Sequence, residues 1–266
     1  MAFFKRILRF LAILFVILCL MLYFLQEKLI FYSSQLPHDY QYEFIAPFEE
    51  LFLSASDGAL LNGLHFKQEN PKGIILYSHG NAGQLDAWGA WAEELSNRYH
   101  YDVLIWDYRG YGKSKGKRRQ DLMLNDGLLF YTYCLEHFKE DQILLFGRSL
   151  GTFFTTHMAQ DRHPKKIILE SGPTSLLDMA KKVYPILPAN LLLKFRFENL
   201  SNLSQLQIPI SIIHGTRDQL VPFDHAQSLF ETAKSSEKKI YPIVNAGHND
   251  LVEHSAYFKA LDEILE

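Results

Sequence analysis

The chain has 266 residues, 48% hydrophobic and 21% charged, a globular composition that excludes disordered, collagenous and low-complexity classes. A formal charge of −3 leaves no excess of positive charge to hold a polyanion, so no nucleic-acid binding is expected. With Cys19 and Cys134 as its only thiols, the chain can build neither a disulfide framework nor a four-ligand zinc site.

The first element is apolar throughout. After Lys5, Arg6 and Arg9, residues 10–25 carry no charge and no strong polar group. At about 1.5 Å per residue this run covers roughly 24 Å of a hydrocarbon core about 30 Å thick, so Ile7, Leu8 and snorkelling Arg9 or Lys28 must complete a crossing. A signal peptidase needs small residues at alternate positions, but Phe31 stands two before Ser33 and Tyr32 two before Ser34. Lipoprotein processing needs a small residue before Cys19, where Leu18 stands. The expectation is an uncleaved anchor over residues 1–30, touching lipid through residues 7–28. Three basic residues precede the span, which predicts a cytoplasmic N-terminus and residues 31–266 on the far side, periplasmic in a bacterium.

Beyond the anchor, short β-branched runs alternate with stretches of helical period, the pattern of an α/β fold. Residues 48–56 and 60–68 flank Asp57-Gly58, a hairpin signal, so the sheet should open with an antiparallel pair. Parallel strands are predicted at 73–78, 102–107, 142–146, 166–170, 210–214 and 239–244, with helices at 85–99, 121–138 and 150–160. The interval 172–207 carries Pro173, Pro185 and Pro188 and is too long for a plain crossover, which suggests a small helical cap.

Chemistry enters at Gly147-Arg148-Ser149-Leu150-Gly151. A serine becomes a nucleophile when it stands exposed at a sharp strand-to-helix turn beside a base and backbone donors, and flanking glycines permit that turn. The same pattern at Gly112-Lys113-Ser114-Lys115-Gly116 runs into Lys117, Arg118 and Arg119, which marks Ser114 as a loop residue. On such an elbow the chain order is serine, acid, histidine. His248, in Ala246-Gly247-His248-Asn249-Asp250 after the last strand, is the candidate base, while His225 and His254 read as surface residues in helical stretches. Asp218, four residues past His214, is the candidate acid. Asp224 reads as a helix cap, and Asp250 with Glu253 as a capping box for the last helix. Oxyanion donors are expected at the backbone N–H groups of Leu150 and Asn81, the latter in a glycine-bearing loop after the third strand. His79 in that loop reads as structural, and Arg148 with Glu170 as an ion pair beneath the elbow. No metal and no cofactor is expected.

Taken together, His79-Gly80-Asn81-Ala82-Gly83, Asp107-Tyr108-Arg109-Gly110-Tyr111-Gly112, the Ser149 elbow, His214-Gly215-Thr216-Arg217-Asp218 with Val221-Pro222, and Gly247-His248-Asn249-Asp250 resemble the α/β-hydrolase superfamily over about residues 45–266. Within it the likeness is to the serine-aminopeptidase-like group of single-pass membrane hydrolases, which includes fungal bud-emergence-type proteins and mammalian protein-depalmitoylating relatives. The resemblance implies a mostly parallel eight-stranded sheet with an antiparallel first hairpin, a small helical cap and a preceding transmembrane helix. It implies Ser149 as nucleophile, Asp218 as acid, His248 as base, and the Asn81 and Leu150 amides as oxyanion hole. One departure bears on the acyl pocket: the group commonly has Glu-Ser-Pro-Phe after the sixth strand, whereas Glu170-Ser171-Gly172-Pro173 lacks the aromatic. The activity expected is cleavage of carboxylic esters or thioesters with an apolar acyl part, through an acyl-enzyme. The alternatives are a serine peptidase, or a non-catalytic binding or scaffold protein on the same fold. Beyond substrate and bilayer, no obligate protein partner is indicated.

Overall fold

The computed structural model describes residues 1–266. Strands β1 (Phe48–Ser54) and β2 (Leu60–Phe66) form an antiparallel hairpin, and β2 pairs antiparallel with β4 (Asp102–Trp106). The remaining strands, β3 (Ile74–Ser78), β5 (Ile143–Arg148), β6 (Lys166–Glu170), β7 (Ile210–Gly215) and β8 (Lys238–Ile243), run parallel. One eight-stranded sheet results, in the order β1-β2-β4-β3-β5-β6-β7-β8. The central strands are buried on both faces, which is why they read as continuous apolar runs instead of alternating ones. β5 runs two residues past its predicted end, because Gly147 and Arg148 stay paired with Leu169 and Glu170 of β6.

The helices are α1 (Ala2–Ile30), α2 (Leu85–Tyr99), α3 (Gln120–His137), α4 (Gly151–Met158), α5 (Leu176–Val183), α6 (Ala189–Leu192), α7 (Leu200–Leu203), α8 (Phe223–Thr232) and α9 (Ser255–Leu265). Helices α2 and α9 cover one face of the sheet, packing Leu95 and Leu261 with Leu144 and Phe146. Helices α3, α4 and α8 cover the other, where Phe130, Phe154 and Leu229 meet Leu145 and Trp106. Both faces are therefore closed, and the carboxyl ends of the parallel strands are left to build a site.

The interval 172–207 holds three short helices. Ser175 caps α5 by accepting from the Asp178 N–H at 3.0 Å. Asn199 roots the far end of the interval on α4: its Nδ2 donates to Thr152 Oγ1 and to the Pro173 carbonyl, both at 2.8 Å, and its Oδ1 accepts from Thr156 Oγ1. Helix α1 is long and apolar enough to cross a membrane, and its residues from Phe10 to Leu18 face outward. Immediately after it Phe31 is buried against Phe195, and residues 31–36 run along the domain, with Gly112 donating to the Ser34 carbonyl and Leu36 to the Gly112 carbonyl.

Two capping expectations are corrected. Leu251–Glu253 form a separate 3-10 turn and His254 is the N-cap of α9, so Asp250 and Glu253 make no capping box; the Asp250 carboxylate accepts instead from the Gly247 N–H at 2.6 Å. Helix α8 begins after Pro222, which places Asp224 inside the first turn, where its charge favours the helix dipole without capping a donor.

Candidate active site

The elbow forms where β5 ends and α4 begins. Ser149 sits at φ +51°, in the left-handed region that costs a side-chain-bearing residue energy, and its N–H is tied to the Glu170 carbonyl at 2.8 Å. The two motif glycines are needed for space. A Cβ on Gly151 would lie 1.9 Å from the Ser78 carbonyl oxygen, and one on Gly147 would lie 2.4 Å from Thr155 Oγ1. Close contact between strand and helix thus leaves the serine at the sharp turn beyond the carboxyl end of β5. Ser114, the rival, is fully buried, accepting from the Asn62 N–H and donating to the Asp107 carbonyl, each at 2.8 Å.

The three residues picked from the sequence for the triad converge. His248 Nε2 lies 3.1 Å from Ser149 Oγ, and His248 Nδ1 lies 2.7 Å from Asp218 Oδ2. The Asp218 carboxylate is buried and held on both oxygens. Oδ1 accepts from the N–H groups of Leu220 and Val221 at 2.9 and 2.8 Å, and Oδ2 also faces His214 Nε2 at 3.3 Å. Burial pushes its pKa up, but hydrogen bonds from His214 and His248, with the charge of His248, outweigh burial and hold Asp218 well below the usual carboxylate range. An ionised Asp218 fixes the tautomer in which Nδ1 carries the proton and Nε2 is free to accept from the serine.

His214 entered the sequence reading as a strand end and as part of the motif that leads to Asp218, with no task of its own. Its Nε2–H donates to the Val221 carbonyl at 2.7 Å, which pins the loop carrying Asp218. The pairing of Arg148 with Glu170 is observed, Nε to Oε1 at 3.1 Å, and Arg148 has a second task. Its Nη2 donates to the His248 carbonyl at 3.1 Å and reaches Asn249 Oδ1 at 3.3 Å, while the guanidinium lies over the Trp88 ring. The residue before the nucleophile therefore anchors the loop of the base. Tyr257 completes this buried group by donating to Glu170 Oε2 at 2.7 Å.

Across from the elbow lies the loop 79–84. The N–H groups of Leu150 and Asn81 meet no acceptor within the protein, which leaves both free to receive an oxyanion. His79 is buried and stacked on Tyr108 with ring centroids 4.3 Å apart, and its Nδ1 donates to the Gly80 carbonyl. Its task is to stiffen this loop. The Asn81 side chain does something the sequence reading did not anticipate. Nδ2 donates to the Ile30 carbonyl at the end of α1, and Oδ1 accepts from the Tyr32 N–H and from Tyr111. The apolar helix is thus tied directly to the loop beside the nucleophile. His225, expected at the surface, is half-buried, and its Nδ1 accepts from the Thr174 N–H at the base of the cap. No three His, Cys, Asp or Glu side chains converge in a metal-ligating group.

A family model described as serine aminopeptidase, S33, matches residues 69–196, a stretch that includes Asn81 and Ser149 and ends before Asp218 and His248. Over 202 residues the chain is 28% identical to alpha/beta hydrolase domain-containing protein 17B of Homo sapiens and to that of Xenopus tropicalis, covering 74% of this chain and 67% of each relative. An esterase of Pyrococcus furiosus superposes with a TM-score of 0.68 at 18% identity, covering 88% of this chain and 100% of its own. A monoacylglycerol lipase of Paleococcus ferrophilus superposes with a TM-score of 0.58 at 20% identity, covering 77% of this chain and 98% of its own. At these identities the structural neighbours establish the fold.

Proposed function

We propose that this chain, which has the α/β-hydrolase fold and is similar to the serine-aminopeptidase-like group, is a membrane-anchored serine hydrolase that cleaves carboxylic esters or thioesters through an acyl-enzyme. The observation that carries the reading is the continuous relay from Ser149 Oγ through His248 to Asp218, at 3.1 and 2.7 Å. Ser149 Oγ attacks the acyl carbonyl as His248 Nε2 takes its proton, and Asp218 stabilises the imidazolium that forms. The N–H groups of Leu150 and Asn81 receive the oxyanion, each contributing about 3 kcal/mol to the barrier lowering when well aimed. The imidazolium then gives its proton to the leaving alcohol or thiol, and water, activated by the same imidazole, releases the acid.

Apolar side chains left outward on α1 and on the cap support an apolar acyl substrate over a polar peptide. Lys5, Arg6 and Arg9 before the span support a cytoplasmic N-terminus with the hydrolase portion on the opposite side. A fluorophosphonate probe tests the catalytic reading, because it reacts with an activated serine. The wild type should label and Ser149→Ala should not. Absent or equal labelling would reduce the chain to a binding protein on a hydrolase fold, and faster turnover of aminoacyl amides than of acyl esters would replace esterase by peptidase.

A further inference from the structure

Helix α1 does not stand clear of the cap. Phe15, Leu18 and Leu22 share a groove with Val183 at the end of α5 and with Tyr184 and Ile186 of the loop that follows it. Along the same side of the helix, Leu22 and Leu29 face Ala180, Leu187 and Leu192 across a crevice of about 120 Å³ that is open to the outside. Gln26 lines it with an amide that is fully engaged: Nε2 donates to the Leu192 carbonyl at 3.0 Å and Oε1 accepts from the Lys194 N–H at 2.8 Å. Apart from the hydroxyl of Tyr184, the walls therefore offer an incoming ligand apolar contact.

Depth along α1 decides what reaches this crevice. The uncharged run of the helix ends at Leu25, and charge resumes at Glu27. Leu18 lies seven residues inside that boundary, about 10 Å at 1.5 Å per residue, and lines the same groove as the cap loop. A bilayer that covers residues 10–25 therefore also covers the tip of the cap. The tip is built for that surrounding: Ile186 is 85% exposed and Val183 55%, which is costly in water and not in hydrocarbon. Lys181 and Lys182, in the last turn of α5 just before the tip, can reach back to headgroups. Ile30, which lines the crevice, accepts at its carbonyl from Asn81, and the adjoining Gly80 lies beside Ser149, with 4.0 Å between the Ser149 Cβ and the position a Gly80 Cβ would take.

We propose that the crevice between α1 and the cap is an acyl-chain site: the cap tip is immersed in the bilayer, and the acyl chain of a membrane-resident lipid ester enters the crevice sideways and brings its ester carbonyl to Ser149. This deepens the functional reading and rests on it. The membrane helix is then one wall of the substrate site as well as an anchor. A short, water-soluble ester reaches the serine without using the crevice.

The test uses the full chain in phosphatidylcholine vesicles containing phosphatidylglycerol, with p-nitrophenyl acetate and vesicle-dissolved p-nitrophenyl palmitate as probes. Ala180→Trp fills the crevice, so kcat/KM for the palmitate should fall by about tenfold or more while the acetate changes less than about twofold. Loss on both esters alike, or on neither, overturns the assignment. An S-palmitoyl peptide preferred over the palmitate ester, with that preference lost in Ala180→Trp, would give the crevice to a lipidated protein and overturn the lipid-ester occupant. Depth is read without turnover: Ile186→Cys in a Cys19→Ala background, with Cys134 buried, carries an environment-sensitive fluorophore. Blue-shifted emission quenched by spin-labelled acyl chains supports immersion, and aqueous emission overturns it. If Ser149 fails to react with fluorophosphonate, the functional reading falls while this depth measurement still reports on the cap.

Discussion

At the elbow a Cβ on Gly151 would lie 1.9 Å from a backbone oxygen, whereas Ile186 in the cap loop leaves 85% of its surface outside the protein. The region around Ser149 is held by its own packing: Arg148 and Glu170 are paired beneath it, and Asp218 is fixed by two N–H groups and two imidazoles. The region around α1 and the cap is held by a few side-chain hydrogen bonds and presents apolar surface outward. The contrast separates two tasks. The triad geometry is set within the domain, and the elements beside it are left with apolar side chains outward.

The largest effects should come from breaking the closed region. Asp218→Asn keeps the shape but favours the wrong imidazole tautomer, so kcat should fall by about 10⁴ with the fold intact by circular dichroism. Because hydrogen bonds hold the Asp218 carboxylate below its ordinary range, it stays ionised in mild acid, and an acid limb of kcat/KM centred on its unfolded value of about 3.9 would contradict that hold. The linkage sign agrees, since a depressed carboxyl pKa contributes stability above its unfolded value of about 3.9 that is lost as pH falls through the folded one. Next is Arg109, whose guanidinium is buried on Asp126 at 2.6 and 2.8 Å and also pairs with Asp57 in the first hairpin. Arg109→Ala strands a buried carboxylate and should cost about 3–5 kcal/mol in denaturant unfolding. Arg148→Met should cut kcat by about 10²-fold, because the His248 loop loses its anchor and the imidazole drifts from the serine.

How much of this was legible in the sequence divides along the same line. Ser149, Asp218 and His248 could be placed because each follows a strand that has its own apolar signature and its own turn residues, and the parallel sheet brings those strand ends together. The hairpin at Asp57-Gly58 and helix α2 were legible for the same local reason. Contacts distant in sequence were not. Arg148 reaches the His248 loop a hundred residues on, and Asn81 reaches back fifty-one residues to Ile30. Residues 31–36 carry no periodicity to announce that they lie along the catalytic domain. Asp250 misled because its spacing to Glu253 fits a capping box, while the Gly247 N–H, equally far back along the chain, captured its carboxylate.

The smallest effect lies in the open region, at the base of the cap. His225 Nδ1 accepts from the Thr174 N–H at 3.1 Å, which a neutral imidazole can do and a protonated one cannot. Burial, with Lys182 nearby, lowers its pKa, so the folded state disfavours protonation. An imidazole with a depressed pKa contributes stability that is complete above its unfolded value of about 6.5 and declines as pH falls below it. The cap should therefore loosen in mild acid while the sheet does not. Hydrogen-exchange protection at Thr174, corrected for intrinsic rate, should weaken between about pH 6.5 and 5, and His225→Ala should remove that pH dependence at a cost near 1 kcal/mol. Equal weakening in β5 would tie the cap to the elbow as one cooperative unit and end the division drawn between them.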